Sequence, residues 1–285
     1  MSNSTKNMPV NKPNYQSNIW FEEPEQDNPF AAKTCYCYGY DVYQDILPKA
    51  SLSEYWYLLF TGERPSTAQA VLLEKIAIVI ANPGMRDESI RAAMNAGVGG
   101  STAAASLIAA LGVGAGQYGG AREIFTLVEH WHKLACDLTA WQNFLVAPND
   151  THARVDIWSE YEHAPGFEPH GKTCPTPILQ SLAHLAETYP NGAIAWLSKH
   201  RLQLEETTGC PLSMTGVIAS ALFDLGLNAK QAEMLYLILR LPGAAIHALE
   251  QEKLGWKKFP FFGQNTILTD DPGAMGTPTI EGFDL

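Results

Sequence analysis

Three stretches of the chain carry the side chains best able to do chemistry. The first is Gln117-Tyr118-Gly119-Gly120-Ala121-Arg122-Glu123. A glycine pair ahead of a helix presents backbone N–H groups, and the helix N-terminus adds a partial positive charge. Such a cradle suits a carbonyl or carboxylate oxygen. The same residues can also serve merely as a tight turn between two packed helices. The second stretch is Gly166-Phe167-Glu168-Pro169-His170-Gly171-Lys172, followed by Thr173-Cys174-Pro175-Thr176-Pro177. A histidine and a lysine in a Gly/Pro-rich loop are poised for proton transfer and anion binding. The plain alternative is an exposed turn with solvated side chains. The third is Arg240-Leu241-Pro242-Gly243-Ala244-Ala245-Ile246-His247-Ala248-Leu249-Glu250-Gln251. Seven residues make about two helical turns, so Arg240 and His247 fall near one face. Pro242 and Gly243 can bend that helix toward a ligand; otherwise it is a core helix with one hydrogen-bonded histidine.

Other chemistries find no support. His130-Trp131-His132 sets two histidines on different helix faces, so no shared metal is expected, and no metal site is visible elsewhere. The chain has no His-Glu-x-x-His, no P-loop and no Gly-x-Ser-x-Gly. Gly112-Val113-Gly114-Ala115-Gly116 mimics a dinucleotide fingerprint but follows an Ala-rich helical pattern instead of a strand.

The elements that must position these residues are helices. Ser51 or Ser53 caps a helix over 53–61, stopped by Gly62. Ser66 or Thr67 opens the next, which ends at Asn82-Pro83-Gly84, and Asp87 opens a third rich in small residues. Further helices are expected at 121–146, 176–188, 192–206, 212–225 and 229–251, each bounded by Gly, Pro or Asn. Residues 19–50 carry aromatics with no clear period. The best strand signal, Phe259-Pro260-Phe261-Phe262, contains a proline that demotes it to an edge. Residues 1–18 read as a flexible tail and 263–285 as an extended arm.

The 285 residues contain 19 Lys+Arg and 30 Asp+Glu, a net charge of −11. Such a surface repels nucleic-acid backbones and anionic lipid, so neither is an expected partner. Cys35 and Cys37 are two apart, unlike Cys-x-x-Cys, and the five cysteines are scattered. With no charged-then-apolar segment at its start, the chain is expected in the cytoplasm with reduced thiols. No charge lies between Arg91 and Arg122, a length able to span a bilayer. Its Gly, Ala, Ser and Thr content points instead to buried soluble helices.

Taken in order, these pieces resemble the citrate synthase superfamily, and more closely its short citryl-CoA lyase-like members. Gly39-Tyr40-Asp41-Val42 with Tyr55 to Pro65 is similar to the family's "GYDI…YLLLxGELP" segment. Gly114 to Glu123 is similar to the segment ending "G-P-x-H-G-G-A-N-E". Gly166 to Lys172 resembles the "G-F-G-H" loop, and Arg240 to Gln251 resembles "R-x-x-G-x-x-A-H-x-x-E-Q". The similarity covers roughly residues 20–262.

The resemblance implies an all-α homodimer with an active-site cleft between a large and a small domain. The large domain would comprise 19–122 and 225–262, and the small one 123–224. The cleft would bind an acyl-CoA thioester and a di- or tricarboxylate, with no tightly bound cofactor. The implied reaction makes or breaks a C–C bond between an acetyl-CoA-type thioester and an oxaloacetate-type keto acid. Carried over residue by residue, the family's enol-stabilising histidine falls on Tyr118 and its second histidine on His170. Its arginine of "D-P-R" falls on Thr176, its catalytic aspartate near Leu212, and an earlier substrate-binding histidine near Asn82. Arg240 keeps type and place as a carboxylate binder. The expected site is therefore Tyr118 and His170 as catalytic groups, with Gly119, Gly120, Lys172, Arg240 and His247 binding substrate. The alternatives are a catalytically degenerate binding or regulatory protein, or an enzyme for a different acyl-CoA.

Overall fold

Helix signals translate into helices where a cap and a stop bracket an apolar run. The structure, a computed structural model, describes residues 17–146 and 164–258. The proposed tail up to residue 16, the strand at 259–262 and the arm at 263–285 lie outside the described residues. A short helical turn over Val42–Ile46 runs into α1 (Leu47–Lys49). Ser51 then opens α2 (Leu52–Thr61) with a full capping box, its hydroxyl accepting from the Glu54 N–H while Glu54 reaches back to Ser51. Gly62, at φ 76°, ends α2 in the left-handed conformation. Ser66 with Gln69, and Asn228 with Gln231, build the same box at the starts of α3 (Thr67–Ile80) and α11 (Ala229–Leu254).

Between them lie α4 (Glu88–Val98), α5 (Ala103–Gly114), α6 (Ala121–Leu134) and α7 (Leu138–Val146). After the second loop come α8 (Thr176–Thr188), α9 (Ala193–Thr208) and α10 (Met214–Asp224). The uncharged stretch before Arg122 is thus two helices and a Gly-rich turn. Among the described residues one helix, α11, is long and apolar enough to cross a membrane. It packs along α4, α5 and α6.

Two expectations are corrected. The helix expected at 121–146 is two helices, broken at Ala135 (φ 47°). Asp137 restarts the chain by accepting from the Ala140 N–H, and the Trp141 indole N–H bonds the Ala135 carbonyl at 2.8 Å. The fold-back brings Trp131 and Trp141 to 4.5 Å between ring centroids, a contact one straight helix forbids. The aperiodic stretch near the start holds an antiparallel sheet ordered β1-β2-β3 (Trp20–Pro24, Ala32–Cys37, Tyr40–Asp41). Every residue of β1 is exposed, so no in–out alternation marks it. The expected all-α architecture holds, with this small sheet added to it.

The main core gathers side chains from α2, α3 and α6 through α11, with Leu72, Ile76, Ile124, Leu185, Ile194, Ile218 and Leu222 fully buried. A smaller cluster joins α4, α5 and the second half of α11 through Ile90, Ala93, Met94, Ala110, Ala244 and Ala248. Cys37, Ile46 and Leu58 form a third beneath the sheet.

Candidate functional site

Glu123 lies in the first turn of α6, is 2% exposed, and binds two loops at once. One carboxylate oxygen accepts the Gly119 N–H at 2.7 Å, the other the Gly166 N–H at 2.6 Å. The stretch carrying Tyr118 and the stretch carrying His170 are therefore fastened to a single buried side chain. Each bond is charge-assisted. Gly119 needs its φ of 70°, and a Cβ on Gly120 would lie 2.5 Å from the Gly116 carbonyl oxygen. Both glycines are thus required by the turn.

The His170 loop is also tied to the segment before α10. Glu168 N–H donates to the Pro211 carbonyl at 2.8 Å, Ser213 N–H to the Gly166 carbonyl at 2.9 Å, and Phe167 forms a bridge with Leu212. Three of the segments singled out in the sequence, around 118, 168 and 212, therefore converge. Tyr118 is 45% exposed. His170 and Lys172 are exposed. Lys172 lines a cavity of about 450 Å³ with Cys174, Arg201, Glu205, Cys210 and Pro211. Burial pushes the Cys174 thiol up, with Glu205 adding to the shift. The five cysteines are free.

Arg240 occupies the middle of α11 and is 7% exposed. Its guanidinium donates to the Tyr236 phenol at 2.6 Å and pairs with the Asp87 carboxylate, with Ser89 Oγ at 3.4 Å. Asp87 also caps α4 through the Ser89 and Ile90 N–H groups. Burial by itself would lower the Arg240 pKa; Tyr236 and Asp87 outweigh it and raise it. Burial pushes the Tyr236 phenol up to about 12. A buried polar cluster of Asp87, Ser89, Tyr236 and Arg240 therefore joins the start of α4 to the middle of α11, and Asp87 and Glu123 both act on Tyr236 electrostatically. The carboxylate that Arg240 meets here is the protein's own.

His247 stands seven residues after Arg240 on α11, and its Nε2 meets the Asn82 amide oxygen at 3.0 Å. This pairs two positions that the resemblance picks out separately. Gly243 permits it: its N–H donates to the Ala81 carbonyl at 2.7 Å, and a Cβ there would lie 2.4 Å from that oxygen. Leu212, at the expected aspartate position, is 1% exposed and packs in the core. Thr176 begins α8 and is exposed.

His130 and His132 each bond a backbone carbonyl, of Thr126 and Leu227, at 2.7 and 3.0 Å. Among the described residues no group of three or more metal-ligating side chains assembles. Sequence reasoning assigned no site role to Glu123 or Tyr236, and gave Asp87 only the start of a helix, which it does cap. Glu123 had a legible signal, since a carboxylate at the third helical position commonly reaches back to N-terminal N–H groups. Its second partner, 43 residues away, left none.

No protein-family model matches the sequence, and no curated protein matches it. Solved structures do match. Citryl-CoA lyase from Hydrogenobacter thermophilus superposes with a TM-score of 0.63 at 16% identity, over 90% of this chain and 95% of that one. ATP citrate lyase from Methanothrix soehngenii, solved with citrate and coenzyme A, gives 0.64 at 17% identity over 86% of this chain. The D541A mutant of Methanosaeta concilii ATP citrate lyase, solved with (3S)-citryl-CoA, gives 0.64 at 15% identity. The chain spans 40% of each of these two proteins. Its architecture is that of citryl-CoA lyase, a citrate synthase-like fold.

Proposed function

We propose that the protein is an acyl-CoA enzyme most like citryl-CoA lyase, cleaving or forming the C–C bond between an acetyl-CoA-type thioester and an oxaloacetate-type keto acid. One observation carries this reading: within that fold, Glu123 fastens the Tyr118 turn and the His170 loop together. In the cleavage direction His170 takes the proton of the citryl hydroxyl. The C–O bond becomes a carbonyl as the C–C bond to the thioester arm breaks. The electron pair enters the thioester as an enolate, whose oxygen Tyr118 and the N-terminal turn of α6 stabilise. A proton returned to carbon gives the acetyl thioester and the keto acid. Lys172, Arg240 and His247 anchor the anionic groups, and Gly119 and Gly120 let the backbone approach. Arg240 meets substrate on this reading by exchanging Asp87 for a substrate carboxylate.

The proposal includes a homodimer in the cytoplasm and no tightly bound cofactor. It also includes a ligand-closed cleft between 123–224 and the remainder of 19–262. A second reading is favoured by one observation. Leu212 is buried apolar core where the resemblance expects the aspartate, and Asp87 already neutralises Arg240. On that reading the protein binds the same ligands, or a different acyl-CoA, without this turnover.

Calorimetry with CoA or acetyl-CoA, with and without oxaloacetate or citrate, tests both when free thiol and citryl-CoA are followed in the same samples. Cleavage is expected, falling by about 10²–10³ in Tyr118→Phe and about 10²–10⁴ in His170→Ala. Binding without turnover selects the second reading, and no binding removes both.

A further inference from the structure

The structure holds another cavity of about 350 Å³, bounded by the turn before α2, by α2 and by the loop that leads into α3. Its apolar side is made by Ile46, Ala50, Leu58, Pro65 and the rings of Tyr40 and Tyr55. Ile46 and Leu58 are buried and give it a solid floor. Four charges line it, and three are occupied. Asp45 and Lys49 pair with each other at 2.7 Å. Glu54 accepts from the Ser51 backbone N–H and hydroxyl at 2.7 and 2.9 Å.

Arg64 differs from the other three. Among the described residues it makes neither a hydrogen bond nor an ion pair, and Glu54 acts on it only electrostatically. Its five-donor fork matches the two oxygens of a carboxylate. Arg64 also stands where the segment it resembles, "GELP", has leucine, so the guanidinium belongs to this chain and not to the pattern. The volume falls in the range of small-ligand pockets, which combine apolar walls with a few orienting polar groups.

We propose that this cavity binds a small carboxylate with an aromatic or branched aliphatic body. The carboxylate lies on Arg64 and the body on Ile46, Leu58 and the Tyr55 ring. The site is independent of the acyl-CoA reading above and shares no residue with it.

Ligand-observed fluorine NMR of the full chain with 4-(trifluoromethyl)benzoate tests the proposal. Binding is expected with a Kd below about 1 mM. Arg64→Gln should weaken it about tenfold or more, since a charge-assisted pair is lost. The matching neutral amide, 4-(trifluoromethyl)benzamide, should bind wild type no better than the carboxylate binds Arg64→Gln. Ala50→Phe, which fills the cavity and leaves Arg64 in place, should abolish binding, with circular dichroism confirming that both variants are folded. Saturating CoA with citrate should not displace the probe, and His170→Ala should leave its affinity unchanged. Absence of binding, equal affinity in Arg64→Gln, or displacement by CoA with citrate would overturn the assignment.

Discussion

Glu123 shows how much one side chain can organise. It accepts two short backbone bonds from loops far apart in sequence and is almost wholly buried. Glutamine has the same shape but only one accepting oxygen, so Glu123→Gln leaves one of the two N–H groups facing an amide donor. A buried donor left unmet costs about 1–3 kcal/mol. Urea unfolding followed by circular dichroism should show Glu123→Gln less stable by that amount, with an unchanged slope. Equal stability would mean that the two loops hold their places without it. Arg240 teaches the converse. A buried guanidinium requires partners, and Tyr236 and Asp87 supply them, so its type alone does not reveal whether it awaits a ligand.

Helix ends form the next scale, and here one element finishes another. Gly192 caps α9 without a side chain. Asp224, the last residue of α10, serves instead: its two oxygens accept the Ala193 and Ile194 N–H groups at 2.6 and 2.9 Å. Burial raises the Asp224 pKa, and these two bonds only partly oppose it. The sign follows from linkage. A carboxyl whose folded pKa lies above its unfolded value binds its proton more tightly in the folded chain, so its contribution to stability falls as pH rises between the two values. Stability measured from about pH 3 to pH 7 should therefore decline in wild type relative to Asp224→Asn, starting at the ordinary carboxylate value. A relative rise over that interval would refute the raised pKa.

For the whole molecule, the decisive contacts are helices docked backbone to backbone. A Cβ on Gly97 would lie 2.4 Å from the Ala248 carbonyl oxygen and 3.1 and 3.2 Å from its carbonyl carbon and Cα. None of these atoms can rotate away. Gly97→Ala gains about 1 kcal/mol of helix propensity, but forcing α4 from α11 costs about 1–3 kcal/mol. Net destabilisation is expected. Gly112 in α5 is the control, since its added Cβ meets nothing within 4 Å. Gly112→Ala should stabilise by up to about 1 kcal/mol. Thermal unfolding of the two variants should move in opposite directions; if both rise, α4 and α11 are not closely docked.

Local features were legible in the sequence because their causes are local. Ser51, Ser66 and Asn228 start helices through their own next turn, and Gly62 ends one through its own φ. The order of the Tyr118, His170 and Arg240 segments sufficed to suggest the citrate synthase-like fold, which structural superposition supports at only 16% identity. The exposed strand Trp20–Pro24 left no alternation to read, and the break at Ala135 depended on where Trp131 and Trp141 would meet. The pairings Glu123 with Gly166, Arg240 with Asp87, and His247 with Asn82 span 43, 153 and 165 residues. Residue type and spacing nominate the groups able to do chemistry. Which of them touch each other is decided by packing between distant helices, and only the tertiary structure records it.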